Sequence, residues 1–187
     1  MTEIRWEKDL AGAERDVFGT DKLVLIFFHH PECGGCAKTM SITFKDPEVV
    51  DFVNEAFSPV SFLVTEAQDL TARYGIEWTP TFILADGYGG ELERWVGYLP
   101  PEDFITQLHL SLGLAEFHRQ RFRDAEDAFE WIIDNRPRSE FAPQARYYMG
   151  VALYKESGDP VHLTRTWDAM NKRYPGNYWT KKASAWA

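Results

Sequence analysis

The sequence predicts an α/β fold, a central mixed sheet flanked by helices, with an all-α extension behind it. Strand-length apolar runs alternate with helical periodicity up to about residue 109, and beyond residue 110 only helical spacing remains. A glycine-rich turn between the last two strand signals makes that pair antiparallel, which gives the sheet its mixed character. The charge changes at the same place. Residues 1–109 carry 8 Lys+Arg against 19 Asp+Glu, a balance of −11, and residues 110–187 carry 12 against 10, a balance of +2. Two domains are expected, 1–109 and 110–187.

Each element has its own signal. Leu10, Ala13 and Val17 recur at helical spacing, and in Lys22–Phe28 the lysine is followed by an unbroken apolar run, Leu23–Phe28, of the length of a strand buried on both faces. The turn His29–Glu32 follows, and Cys33-Gly34-Gly35-Cys36 opens a helix. Asp46-Pro47-Glu48 supplies an N-cap, a proline at the first helical position and an acid in the first turn, so a helix is expected from Pro47 to Ala56. Val60–Thr65 reads as a strand, Ala67–Tyr74 as a helix stopped by Gly75, and Thr81–Ala85 and Leu92–Val96 as the hairpin around Asp86–Gly90. A helix starting at Pro101-Glu102-Asp103 is expected to run on to Gln120, across the domain boundary.

In the second domain Gly113, Ala115 and Phe117, followed by Ala128-Phe129 and Pro137, overlay on Gly150, Ala152 and Tyr154, followed by Thr166-Trp167 and Pro175. Self-similarity of this kind resembles tetratricopeptide-type helical hairpins, whose period is ~34 residues. About two repeats are expected, with Tyr178–Ala187 as a capping helix. So short an array is expected to bind a protein partner or to self-associate. The Arg119, Arg121, Arg123 run reads as a solvated helix face.

Composition excludes several classes. The longest apolar run is far short of the ~20 residues that cross a bilayer, and the charged start lacks a signal peptide's apolar stretch. No membrane is expected. The acidic balance argues against nucleic acid, which needs a basic face. Two cysteines are too few for a disulfide-rich secreted scaffold, and a single pair with none left for cross-links fits a reducing, cytoplasmic compartment.

That pair is where the chemistry is expected. At a helix start the first thiol meets unpaired backbone N–H groups and the positive end of the helix dipole, which favour an anion, so Cys33 is the expected thiolate. Cys36, one turn deeper, is within reach to resolve a mixed disulfide. The rival readings are two ordinary buried thiols and half of a metal site. A structural zinc needs four ligands, and only His29 and His30 are near in sequence, so no metal is expected. Glu32 opposes the thiolate by like charge, while His29 or His30 can stabilise it or take the proton of Cys36.

Residues 3–109 resemble the thioredoxin superfamily. The CGGC followed by Thr43-Phe44, Asp46-Pro47 and Val49, then Trp78-Thr79-Pro80-Thr81 before a strand, is most similar to the thioredoxin-like domains related to the C-terminal domain of thiol:disulfide interchange proteins of the DsbD type. The resemblance implies thiol:disulfide oxidoreductase activity on protein disulfides, fed by an electron-donating reductase, through a redox-active Cys33–Cys36 disulfide with no metal or organic cofactor. It implies that Pro80 is a cis-proline beside the CGGC and that the Thr79 backbone pairs with substrate. Trp78 is either a substrate contact or core. Three departures stand out: Glu32 replaces the family's tryptophan, Gly34-Gly35 replaces Gly-Pro and leaves the loop more flexible, and Phe27 occupies the position of a buried acid. His30 and Glu32 are the expected tuners of the thiol. The alternative is an adaptor whose redox domain is vestigial and whose repeats do the binding.

Overall fold

The computed structural model describes residues 3–187. The chain divides into two compact units between Ile105 and Thr106, a point inside one helix. The first unit holds helix α1 (Leu10–Val17), strand β1 (Leu23–His29), α2 (Gly34–Ser41), α3 (Pro47–Ala56), β2 (Phe57–Leu63), α4 (Gln68–Arg73), β3 (Thr81–Ala85) and β4 (Glu91–Val96). The strands form one mixed sheet in the order β2-β1-β3-β4, with β1 parallel to β2 and antiparallel to β3, and β3 antiparallel to β4.

Alternation along β1 divides the core. Val24, Ile26 and Phe28 pack on one face with Leu10, Ala13 and Val17 of α1 and with Val60, Tyr74 and Ile83. Phe27 points the other way, onto an aromatic row that crosses three strands. It pairs with Phe82, which pairs with Trp95, and the rings stack at 5.0 and 4.9 Å between centroids. Phe44 and Phe104 close on this row edge-on. Burying such rings contributes far more than a lone ion could at the same place, which accounts for an apolar residue at position 27.

Local chemistry sets the ends of the elements. The Asp46 carboxylate accepts the N–H groups of Glu48 and Val49 and caps α3, which begins at Pro47 and ends at Ala56 as its sequence predicts. The Asp86 carboxylate accepts the N–H groups of Tyr88 and Gly90 and fixes the β3–β4 turn. β2 departs from expectation, starting at Phe57 instead of Val60 and ending at Leu63 instead of Thr65. Pro59 reads as a break in a strand, yet its carbonyl accepts the Glu7 N–H on the side away from β1, so its missing donor faces that side too. The ladder to β1 is intact.

The remaining helices are α5 (Pro101–His118), α6 (Phe122–Asn135), α7 (Ala142–Ser157), α8 (Val161–Arg173) and α9 (Tyr178–Ala183), followed by a 3₁₀ turn over Ser184–Trp186. α5 ends two residues before the expected Gln120, which itself adopts a positive φ of 62° in the turn into α6. The second unit, from Thr106 on, is all helical. Its core joins Leu110 and Leu114 with Ala125, Phe129, Ile132 and Ile133 of α6 and Ala142 and Ala145 of α7. A side chain at Gly113 would collide with the Phe129 ring, and one at Gly150 with Thr166, so each glycine lets two helices meet.

The arginine run is solvated, as its sequence predicts, and it is also paired. Glu116 is buried, and its carboxylate takes Arg119 at 2.8 Å and Arg121 at 3.2 Å, while Arg121 also reaches Asp124 and Arg123 reaches Glu156. The pairs to Glu116 and Asp124 brace the α5–α6 turn, and Arg123–Glu156 joins α6 to α7. His109, which carries no spacing signal, is buried and stacked on Trp131 at 3.7 Å. Among the described residues no helix is long and apolar enough to cross a membrane.

Candidate active site

Cys33 is the N-cap of α2, with extended backbone angles that turn the chain from the end of β1 into the helix. Its Sγ accepts the Cys36 N–H at 3.0 Å and lies 3.3 Å from the Thr79 carbonyl oxygen. Cys33 and Cys36 form a disulfide, with their Cα atoms 5.2 Å apart. In the dithiol form the same N–H donates to a Cys33 thiolate, and a protonated Cys33 can donate to Thr79 O. Cys36 is fully buried and Cys33 partly exposed, so an incoming disulfide reaches only the first sulfur.

The Thr79–Pro80 peptide bond is cis. Pro80 is buried against the CGGC turn, and an added Cβ at Gly35 would stand 3.1 Å from Pro80 Cδ and 3.5 Å from Tyr98 Cβ. Gly35 is therefore set by close packing. Gly34, with nothing within 4 Å of its Cβ position, is not.

A cavity of about 680 Å³ opens beside Cys33. It gathers the residues the sequence singles out, namely His30, Glu32, Cys33, Trp78, Thr79 and Pro80, while Cys36 sits beneath it. His30 Nδ1 accepts the Glu32 backbone N–H at 3.1 Å, which leaves Nε2 for other partners. Trp78 is 73% exposed, which decides between the two readings of that ring: it is not core. His29 is elsewhere. It stacks on Phe27 and lines a separate cavity of about 220 Å³ with Trp6, Phe44 and Ser61. Burial lowers its pKa, with Glu66 opposing.

Sequence reasoning missed the rest of the rim. Val64, Thr71, Ile76, Glu77, Gly97 and Tyr98 also line the cavity. Glu77 could have been found from its place beside Trp78. Tyr98 follows the last strand by two residues and reaches the site only because β4 returns antiparallel to β3. Among the described residues no three His, Cys, Asp or Glu side chains are grouped to hold a metal ion.

Residues 10–111, more than half of the chain, match the model of the thioredoxin-like domain family. The chain belongs to that family. Among solved structures this thioredoxin-like protein is similar to the DsbH oxidoreductase, with 20% identity over 59% of this chain and 85% of that one and a TM-score of 0.50. It is also similar to a thioredoxin from Thermus thermophilus, with 27% identity over 58% and 85% of the two chains and a TM-score of 0.48. A third is the C-terminal domain of Neisseria meningitidis DsbD in the oxidised form, with 24% identity over 52% and 88% and a TM-score of 0.45. At these levels the likeness is one of fold. No curated protein sequence matches the chain. A thioredoxin-like fold with a CxxC-spaced disulfide at a helix start is the apparatus of a thiol:disulfide oxidoreductase.

Proposed function

We propose that the protein reduces or exchanges disulfides in protein substrates through Cys33 and Cys36. The observation that carries this reading is the placement of Cys33 Sγ at the start of α2, facing a cavity, above a fully buried Cys36. In the reductive direction the Cys33 thiolate attacks one sulfur of a substrate disulfide, forming a mixed disulfide and releasing the other substrate sulfur as a thiolate. Cys36, deprotonated, then attacks Cys33 Sγ, which closes the Cys33–Cys36 bond and frees the second substrate thiol. Two electrons pass to the substrate, and a reductase returns them. The balance closes on the two sulfurs, so the reading calls for no metal or organic cofactor. Thr79 and Pro80 seat the substrate backbone, Trp78 contacts a substrate side chain, and His30 and Glu32 tune the Cys33 thiol.

Cys33→Ser is expected to abolish turnover of a disulfide substrate coupled to a reductase. Cys36→Ser is expected to accumulate the mixed disulfide, visible as a mass adduct under non-reducing conditions. Unchanged turnover in the Cys33 variant refutes the assignment. A reduction potential of the pair at the reducing end of the ~150 mV range open to such sites supports the cytoplasmic setting.

The helical unit is read as two tetratricopeptide-like hairpins, α5–α6 and α7–α8, with α9 as the cap, holding a protein partner or a second copy. What supports this is that Gly113 faces Phe129 and Gly150 faces Thr166, the same 16-residue span repeated 37 residues on. A vestigial redox unit serving an adaptor is favoured by two features, Phe27 in place of the family's acid and Glu32 beside Cys33. Alkylation separates the two, because a vestigial Cys33 reacts with iodoacetamide at neutral pH no faster than an unstructured thiol.

A further inference from the structure

We infer that the rim of the Cys33 cavity selects disulfides flanked by cationic side chains, with Glu77 and Glu32 as the selecting charges and Trp78 as the platform. The inference rests on the oxidoreductase reading and adds the class of substrate.

The cavity carries no Lys or Arg in its lining. Its ionisable side chains besides the cysteine are Glu32, Glu77, His30 and Tyr98. Both carboxylates are exposed, and neither makes an ion pair or a side-chain hydrogen bond among the described residues. The Lys38 ammonium stands 5.6 Å from the Tyr98 ring centroid, and Lys38 is not among the lining residues. The part of the chain up to residue 109 has a balance of −11 from 8 Lys+Arg and 19 Asp+Glu. A negative surface around a half-enclosed site raises the local concentration of cations and speeds their encounter.

Trp78 gives that charge a place to act. An indole left 73% uncovered in the cavity lining offers an apolar face that a substrate side chain can cover, and it attracts an ammonium or guanidinium over that face. Glu77 is its neighbour in the chain, so a Lys or Arg laid on the indole has a carboxylate within reach of the same residue pair. Glu32 lines the same cavity and directly precedes Cys33 in the chain. A substrate cysteine brought to Cys33 Sγ thus has one carboxylate toward Trp78 and one toward the start of α2. Arg or Lys beside that cysteine is favoured, and Asp or Glu there is repelled by both.

The test uses the reduced full chain and three synthetic peptide disulfides of equal length, with the cysteine flanked by Arg, Gln or Glu. Expected is kcat/KM roughly tenfold higher for the Arg than for the Glu peptide at low ionic strength, the Gln peptide lying between, with the spread shrinking severalfold at high salt. The ratio of Arg to Gln rates is expected to fall in Glu77→Gln and in Trp78→Ala, and because it is a ratio, a general loss of activity cancels. Equal rates for all three peptides overturn the inference and leave the oxidoreductase reading intact. No turnover of any peptide overturns both.

Discussion

Two neighbouring glycines in the CGGC do different work. Read as sequence, Gly34-Gly35 suggests a flexible loop where relatives have a stiff Gly-Pro. In the structure only Gly35 is constrained, because its missing Cβ is what lets Pro80 and Tyr98 close on the turn. Gly35→Ala is therefore expected to push the turn away from Pro80, lowering stability by about 1–3 kcal/mol and slowing disulfide reduction. Gly34→Ala meets open space at a helical position, where alanine is preferred, and is expected to be neutral or to stabilise by up to about 1 kcal/mol. Urea denaturation of the oxidised proteins and turnover of one disulfide substrate read both. A larger cost for the Gly34 variant would overturn the packing argument. The Cys33–Cys36 pair, Thr79 and Pro80 were legible in the sequence because a chain motif carries them. Tyr98 was not, since only the return of β4 brings it to the rim, whereas Glu77 carries its signal in its place beside Trp78.

The same logic scales to elements. Where a signal is local, the sequence is a good guide: α3 runs from Pro47 to Ala56 because Asp46 caps it and proline fits its first turn. Where a signal depends on what lies alongside, it misleads. Pro59 hides the first residues of β2 because nothing in the chain says which side of that strand needs its N–H. In the helical unit the glycines at 113 and 150 look like weak points of long helices, since glycine in an open helix costs roughly 0.5–1 kcal/mol relative to alanine. Their surroundings reverse the sign. A Cβ at Gly113 runs into Phe129 and one at Gly150 into Thr166, so each Gly→Ala change is expected to destabilise by about 1–3 kcal/mol. Circular dichroism during urea unfolding decides it, and a gain in stability at either position contradicts the close helix approach.

At the scale of the whole molecule, one half-buried and one buried group make stability respond to pH in opposite senses. Glu93 on β4 is pushed up to about 7, first by burial and then by Glu91. Its unfolded value is 4.5, so between 4.5 and 7 the folded chain holds a proton that the unfolded chain lacks. The stabilisation from Glu93 is full below 4.5 and is lost as pH rises through about 7. His109 is driven down from 6.5 to about 3, first by burial and then by Arg136. Its stabilisation is present above 6.5 and is lost as pH falls toward 3. From 4.5 to 6.5 the two slopes oppose, and each substitution should unmask the other group. Relative to the parent, Glu93→Gln is expected to gain stability between pH 5 and pH 8, on the order of 1–2 kcal/mol. His109→Phe, which keeps a ring for Trp131 to stack on, is expected to lose less than the parent on acidification from pH 6.5 to pH 4. Unfolding free energies at intervals across this range, taken as variant minus parent, cancel the other titrating groups. A difference that stays level with pH in either variant removes that residue from the account, and a difference of the opposite slope would mean that the buried form carries the charge.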